Sequence, residues 1–284
     1  MAKLINGKEV AAEVLSKIAL EVNGLSVRNV TPGLAVIIVG DNPASRVYVN
    51  NKKKACAQVG IHSEEYALPE SVSQEELIDL VKKLNNDNAV NGILVQLPLP
   101  KSLNEEAVIE AIDPEKDVDG FHPSNVGRIM IGNYHFLPCT PAGIMELIYS
   151  QEINISGKNC VVIGRSNIVG KPMAMLLLQA NGTVTICHSK TQNLTGICRN
   201  ADILIAAVGK EKFVTEEMVK PGAIVIDVGM NRDQNGKLCG DVDFTNVEKI
   251  ASSLTPVPGG VGPMTIAMLL KNTVIAAKRQ NKIF

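Results

Sequence analysis

Six short runs, LAVIIVG (34–40), GILVQL (92–97), CVVIG (160–164), TVTICH (183–188), DILIAAV (202–208) and AIVIDVG (223–229), are rich in β-branched residues and too short for core helices. Helix-patterned segments separate most of them. Parallel neighbours cannot be joined by a tight turn, so a chain built this way returns through a helical crossover and covers its sheets with helices on both faces. The pattern predicts an α/β protein. It occurs twice along the chain, so the expectation is two doubly wound α/β domains.

In the first half, Val10, Val14, Leu15, Ile18 and Val22 share one helical face before Asn23-Gly24, which predicts a surface helix over 8–22. Further helices are expected at about 44–59, 73–85 and 104–112, with an added strand at 64–68. The turn-rich segment DPEKDVDGFHPSNVGRI (113–129), followed by PCTPAG (138–143), marks a domain boundary. A second α/β unit restarts near 159, with helices at 170–180, 192–199 and 215–219. TPVPGGVGPM (255–264) then reads as a Pro/Gly hinge, and Pro263 sits in the opening turn of a last helix. The domains are therefore expected at 1–140 and 141–262, with 263–284 a terminal helix.

Composition removes several classes of function. The 284 residues are 45% hydrophobic and 20% charged, which suits packed cores. The 28 Lys and Arg nearly balance 29 Asp and Glu, so no general field draws polyanions, and any phosphate site has to be local. Four Tyr, five Phe and no Trp leave little to stack on bases, which argues against a nucleic-acid partner. No run approaches the roughly 20 apolar residues of a membrane span, and MAKLINGKEVAAEV turns amphipathic at once. A cytoplasmic protein without a membrane partner is expected. Six cysteines form no CxxC and four histidines are scattered, which predicts buried free thiols and no metal site.

Strand CVVIG ends in Gly164-Arg165-Ser166, and Gly170 opens the next helix. Glycine lets backbone N–H groups approach a phosphate whose charge the helix N-terminus favours. The run is not GxGxxG, and an ordinary tight βα turn is the competing reading. A Rossmann unit that prefers NAD places an Asp or Glu at the end of its second strand, whereas His188-Ser189-Lys190 stands here. Arg165, Ser189 and Lys190 have donors that suit a ribose phosphate, which predicts NADP; the alternative is solvated loop charges.

Tyr48 and Lys52 stand four apart on the helix after the first strand, so they share a face, with Ser45 a turn earlier. A tyrosine packed under one lysine of the basic run Lys52-Lys53-Lys54 is the plainer reading. The pair also has the spacing of the short-chain dehydrogenases, but it precedes the nucleotide unit by over a hundred residues, which is the wrong order for them. Gln96 runs off a strand at the edge where open sheets place ligands, although Pro98 and Pro100 also suit a simple strand stop. Asp117 and Asp119 flank Val118 before Gly120. Either caps a turn or presents a carboxylate to paired N–H donors such as those of a pterin edge.

The runs SRVYVNNKKKA, VQLPLP, PEKDVDGFHPSNVGR, PCTPAGI, VVIGRSNIVGKPM, AIVIDVGMNR, GDVDF and TPVPGGVGPMT, in this order over essentially the whole chain, resemble the bifunctional methylenetetrahydrofolate dehydrogenase/methenyltetrahydrofolate cyclohydrolases. The resemblance implies a substrate domain, a Rossmann-type NADP domain, a cleft between them, a last helix returning to the first domain, and a homodimer. By motif, Lys52 matches the catalytic lysine, Tyr48 the residue packed on the folate, and Gln96 the glutamine beside the lysine. Asp119 matches the pterin carboxylate, and Gly259 with Gly260 the loop over the folate. Gly164, Arg165, Ser166, Ser189 and Met230 fall at cofactor positions, Met230 where isoleucine is common.

The chemistry this implies suits the residue types. Hydride loss from the methylene bridge is driven by nitrogen lone pairs and needs alignment rather than a base. Hydrolysis of the resulting methenyl cation needs a proton carrier, and a lysine beside a cation favours its neutral amine. Lys52 is the expected carrier, oriented by Gln96 and Tyr48. An NADP-dependent dehydrogenase of another small acid, in the manner of shikimate dehydrogenases, and a non-enzymatic NADP-binding sensor are the alternatives.

Overall fold

The computed structural model describes residues 1–283; Phe284, the end of the helix expected over 263–284, lies outside the described residues. In chain order the first elements are β1 (Lys3–Leu4), α1 (Gly7–Ser26), β2 (Gly33–Val39), α2 (Pro43–Val59), β3 (His62–Leu68), α3 (Gln74–Asn85), β4 (Gly92–Val95), α4 (Glu105–Ala111) and α5 (Pro123–Met130). There follow α6 (Cys139–Ser150), β5 (Asn159–Ile163), α7 (Gly170–Gln179), β6 (Thr183–Cys187), α8 (Leu194–Cys198), β7 (Ile203–Ala206) and β8 (Ile224–Asp227). Last come β9 (Asn231–Arg232), β10 (Leu238–Cys239), α9 (Phe244–Val247), β11 (Ser253–Leu254) and α10 (Val261–Gln280).

Two compact units result. One comprises Glu13–Cys139 and the segment from Ile266; the other comprises Met1–Ala12 and Thr140–Thr265. The first holds a parallel sheet ordered β3-β2-β4. Its middle strand is buried along its whole length, as the unbroken apolar run predicts. Ile37, Leu77, Val81, Ile93 and Val108 lie in its core. The second holds a six-stranded parallel sheet ordered β1-β11-β8-β7-β5-β6, over a core that includes Val161, Leu204, Val225 and Leu254.

Several elements differ from the sequence expectation. Helix α1 continues past Asn23-Gly24 to Ser26 because Leu25 adds one more buried position to the stripe of Ile18 and Val22. That burial outweighs the roughly 1 kcal/mol a helical glycine costs. The turn-rich stretch before PCTPAG contains α5: His122 caps it through Nδ1, Pro123 occupies its first turn, and Asn125 and Ile129 are buried. A 3₁₀ turn, Glu216–Met218, replaces the helix expected at 215–219. Residues 1–12, expected in the first domain, group with the second unit because Lys3 and Leu4 pair with Ser253 and Leu254. Among the described residues no helix is long and apolar enough to cross a membrane.

Candidate active site

Both sheets have a point where the chain reverses its direction of travel across the strands, and ligands of open α/β sheets bind outside the strand carboxyl ends at such points. In the first unit the point falls beside β2, flanked by β3 and β4. In the second it falls beside β5, flanked by β6 and β7. Most of the sequence candidates divide between these two places; Met230 follows β8, and Gly259-Gly260 follow β11.

Lys52 lies on α2, the helix that follows β2. Its neighbours Lys53 and Lys54 are exposed, whereas Lys52 is 7% exposed and donates from Nζ to Gln96 Oε1 at 3.0 Å. A buried lysine nitrogen needs a polar partner, and the Gln96 amide oxygen supplies it. Gln96 follows β4, extends the ladder by donating its backbone N–H to Ile37 O, and fixes its own amide by donating to Leu97 O at 2.7 Å. The oxygen therefore faces Lys52. Tyr48, one turn before Lys52, is half-buried, and burial raises its hydroxyl above the usual tyrosine value. Ser45 is buried a turn earlier.

The two aspartates separate clearly. Asp117 is buried and accepts from Phe121 N (3.2 Å), His122 N (2.8 Å) and Asn125 Nδ2 (2.8 Å), so it shapes the loop. Asp119, half-buried, accepts none of these loop hydrogen bonds. The loop runs parallel to β4, with Ile93 bridged to Asp117, which brings Asp119 two residues later to the level of the strand end and Gln96. Burial raises the Asp119 carboxyl; the Lys52 charge opposes this, Asp117 adds to it, and the Cys139 thiol hydrogen bond opposes it. Lys52, Gln96, Tyr48 and Asp119 thus belong to one unit. Gly259 and Gly260 belong to the other, where Gly7 packs directly on Gly260 and Lys8 runs beside Gly259.

At β5 the register decides the geometry. Ile163 pairs with Cys187, so Arg165 and Ser189, each two residues on, emerge side by side from adjacent parallel strand ends. Arg165, Ser189 and Lys190 are exposed, and Arg165 has no side-chain partner among the described residues. Gly164 has φ of +132°, and a Cβ there would collide with Ala207 O; one on Gly170 would collide with Gly164 O. The turn is therefore closed on itself, and both glycines are required by it. Ser166 Oγ accepts from Val169 N (3.2 Å) and Gly170 N (3.3 Å), which holds the turn that leads into α7. Met230, 49% exposed, follows Gly229 beyond β8.

Sequence reasoning missed the supports beneath this face. Asp241, fully buried, accepts from Val208 N (2.6 Å), Gly209 N (3.0 Å), Lys210 N (2.9 Å) and Asn231 Nδ2 (2.9 Å), which ties the loop after β7 to the loop after β8. Asp227, at the end of β8, accepts from Gly229 N, Asp241 N and Val242 N. An aspartate inside the apolar run AIVIDVG is the signal that was available.

Burial pushes the Asp227 carboxyl up to about 6, against the three N–H groups that hold its charge. Its value in the unfolded chain is about 4, so as pH rises from about 4 to about 6 the unfolded chain releases this proton first and the group's contribution to stability falls, levelling above about 6. Carboxyl ¹³C spectroscopy is expected to show one aspartate titrating near pH 6, a signal missing from Asp227→Asn.

Among the described residues no cluster of three or more His, Cys, Asp or Glu could hold a metal ion. Cys56, Cys139, Cys160, Cys187 and Cys198 are buried free thiols, and Cys239 is partly buried.

Two family models match the chain: the tetrahydrofolate dehydrogenase/cyclohydrolase catalytic domain over residues 5–119 and its NAD(P)-binding domain over residues 138–281. A bifunctional protein FolD of Acetivibrio thermocellus is 64% identical over 282 residues, 99% of each chain. The crystal structure of the bifunctional FolD dehydrogenase/cyclohydrolase of Campylobacter jejuni superposes with a TM-score of 0.96 at 50% identity, covering 98% of this chain and 99% of that one. The Trypanosoma brucei methylenetetrahydrofolate dehydrogenase-cyclohydrolase, solved with NADP cofactor and inhibitor, gives 0.95 at 41% identity over 99% of each. With both of its α/β units matched in order and relatives of this identity along its whole length, the chain belongs to the tetrahydrofolate dehydrogenase/cyclohydrolase family.

Proposed function

We propose that the chain catalyses NADP-dependent oxidation of 5,10-methylenetetrahydrofolate to the methenyl compound and then hydrolyses that compound to 10-formyltetrahydrofolate. The buried Lys52–Gln96 pair beside Asp119 carries this reading. A dehydrogenase needs no proton carrier for hydride loss from a methylene bridge, and a buried lysine held by a neutral amide is suited to supply one for hydrolysis. NADP supplies the hydride acceptor.

The face beside β5 fits such a cofactor. Arg165 and Ser189 present a guanidinium and a hydroxyl side by side, Lys190 adds a charge, and Gly164 and Gly170 let the turn between them close tightly. Ser166 holds the turn before α7, and Met230 offers an apolar surface near the strand end. In the folate half, Asp119 holds the pterin N–H donors and Tyr48 packs on the ring; Gly259-Gly260, on the other unit, match the family's loop over the folate. Gln96 orients the lysine, which takes a proton from the attacking water and returns one as the ring opens. Membership of the family also supports a homodimer working in the cytoplasm; sedimentation of the purified protein tests the dimer.

The decisive experiment supplies methylenetetrahydrofolate and NADP and follows the methenyl absorbance and its decay. Appearance and enzyme-dependent decay support both activities; no NADPH formation rejects the reading, and with it leaves a dehydrogenase of another acid or a cofactor-binding protein.

Arg165→Ala is expected to raise the KM for NADP about tenfold or more while changing that for NAD little, because a guanidinium–phosphate contact contributes roughly 1.5 to 3 kcal/mol and NAD has no phosphate there. Parallel initial-rate series with the two cofactors measure it. Equal effects on both would place Arg165 away from the phosphate.

A further inference from the structure

Asn272 interrupts the apolar face of α10. It is 5% exposed, among the buried Leu269, Leu270, Thr273, Val274 and Ala276. Its Nδ2 donates to Val118 O at 2.8 Å and to Leu137 O at 2.9 Å, and lies 3.8 Å from Cys139 Sγ. Both amide hydrogens are therefore committed to carbonyls outside its own helix. Val118 O belongs to the peptide that carries the N–H of Asp119, and it also accepts the Cys139 thiol at 3.4 Å. On the other side of Asp119, Gly120 packs so closely that a Cβ would lie 2.8 Å from Pro138 N. The backbone is pinned before Asp119 by Asn272 and Cys139, and after it by contact with the Leu137–Pro138 segment.

An apolar residue at 272 would bury more hydrocarbon but leave Val118 O with only the Cys139 thiol and take from Leu137 O the amide that it accepts. The amide serves the loop. We propose that Asn272 is a positioning residue of the folate site: from the C-terminal helix it sets the backbone beneath Asp119, and so the place at which that carboxylate meets the pterin. The inference rests on the reading of Asp119 given above.

A double-mutant cycle with Asn272→Leu, Asp119→Ala and both together tests it. The readouts are the dissociation constant of tetrahydrofolate by isothermal titration, that of NADP on the same samples, and the melting temperature. Asn272→Leu is expected to weaken tetrahydrofolate about tenfold and NADP by no more than about twofold. In the Asp119→Ala background it should weaken tetrahydrofolate by no more than about a further twofold, because a residue acting through Asp119 has nothing left to position.

Asn272→Ser, which keeps one donor, should fall between parent and Asn272→Leu, and it replaces the leucine variant in the cycle if that variant does not hold its NADP affinity. Multiplying effects in the double variant, or unchanged tetrahydrofolate binding in a folded Asn272 variant, would overturn the inference. Unchanged binding in Asp119→Ala would instead overturn the reading of Asp119 itself.

Discussion

Lys52→Met is expected to lower cyclohydrolase turnover by at least about a hundredfold, the low end for loss of a general acid/base, with a smaller loss of dehydrogenase turnover. Methionine keeps an unbranched apolar stem in a site that is already buried, so the helix and its packing survive. What is removed is the nitrogen 3.0 Å from Gln96 Oε1. Hydride loss requires only that the bridge carbon be aligned, whereas hydrolysis needs a group to move protons, so the two rates should separate and methenyltetrahydrofolate should accumulate. The measurement supplies methylenetetrahydrofolate and NADP to variant and parent, and corrects for spontaneous hydrolysis. Unchanged methenyl decay removes Lys52 from the mechanism; equal loss of both rates makes it a binding residue.

Asp241→Ala should be the most destabilising single change at the second unit's strand ends. Three backbone N–H groups and the Asn231 amide lose their common acceptor inside the protein, each at roughly 1 to 3 kcal/mol if no water replaces it. Relief of the repulsion between Asp241 and Asp227 returns part of this. The net loss should be on the order of 3 to 5 kcal/mol, which lowers the melting temperature by roughly 10 °C. NADP affinity should fall with it, because the loops after β7 and β8 are no longer tied. A melting temperature within about 2 °C of the parent would show that the carboxylate carries little of this structure.

Asp117 illustrates the opposite lesson about controls. As the neighbour of Asp119 it looks like a silent comparison, yet its three accepted hydrogen bonds make Asp117→Ala a change in loop shape. Folate binding in that variant would report both effects together.

The main strands were legible because a parallel strand buried on both faces has to be an unbroken apolar run, and β2 and β5 are such runs. The two-residue strands β1 and β11 were not, since neither is long enough to show a period. Helix α5 was hidden because His, Pro, Ser and Asn start helices and turns alike. The spacing of Lys52 to Tyr48 put both on one helical face but favoured a surface lysine over a packed tyrosine; the resemblance singled Lys52 out, and its burial between exposed neighbours appears only in the structure. Asp241 and Asn272 were illegible for a common reason. The local sequence around each names no partner, and only long-range pairing reveals that each serves a distant backbone.

Because the unit that carries Lys52 and Asp119 is completed by residues from Ile266 onward, it is made in two instalments during synthesis. The ribosome delivers β1 of the other unit first, then β2, β3 and β4, then Thr140–Thr265, and only at the end the helix residue that grips Val118 and Leu137. Domains assemble as they emerge, so the nucleotide-side sheet, complete once Thr265 is out, is free to fold first, while the earlier-made half waits for the tail. A nascent chain stalled with Thr265 outside the ribosome and Asn272 still within it should therefore bind NADP but not tetrahydrofolate.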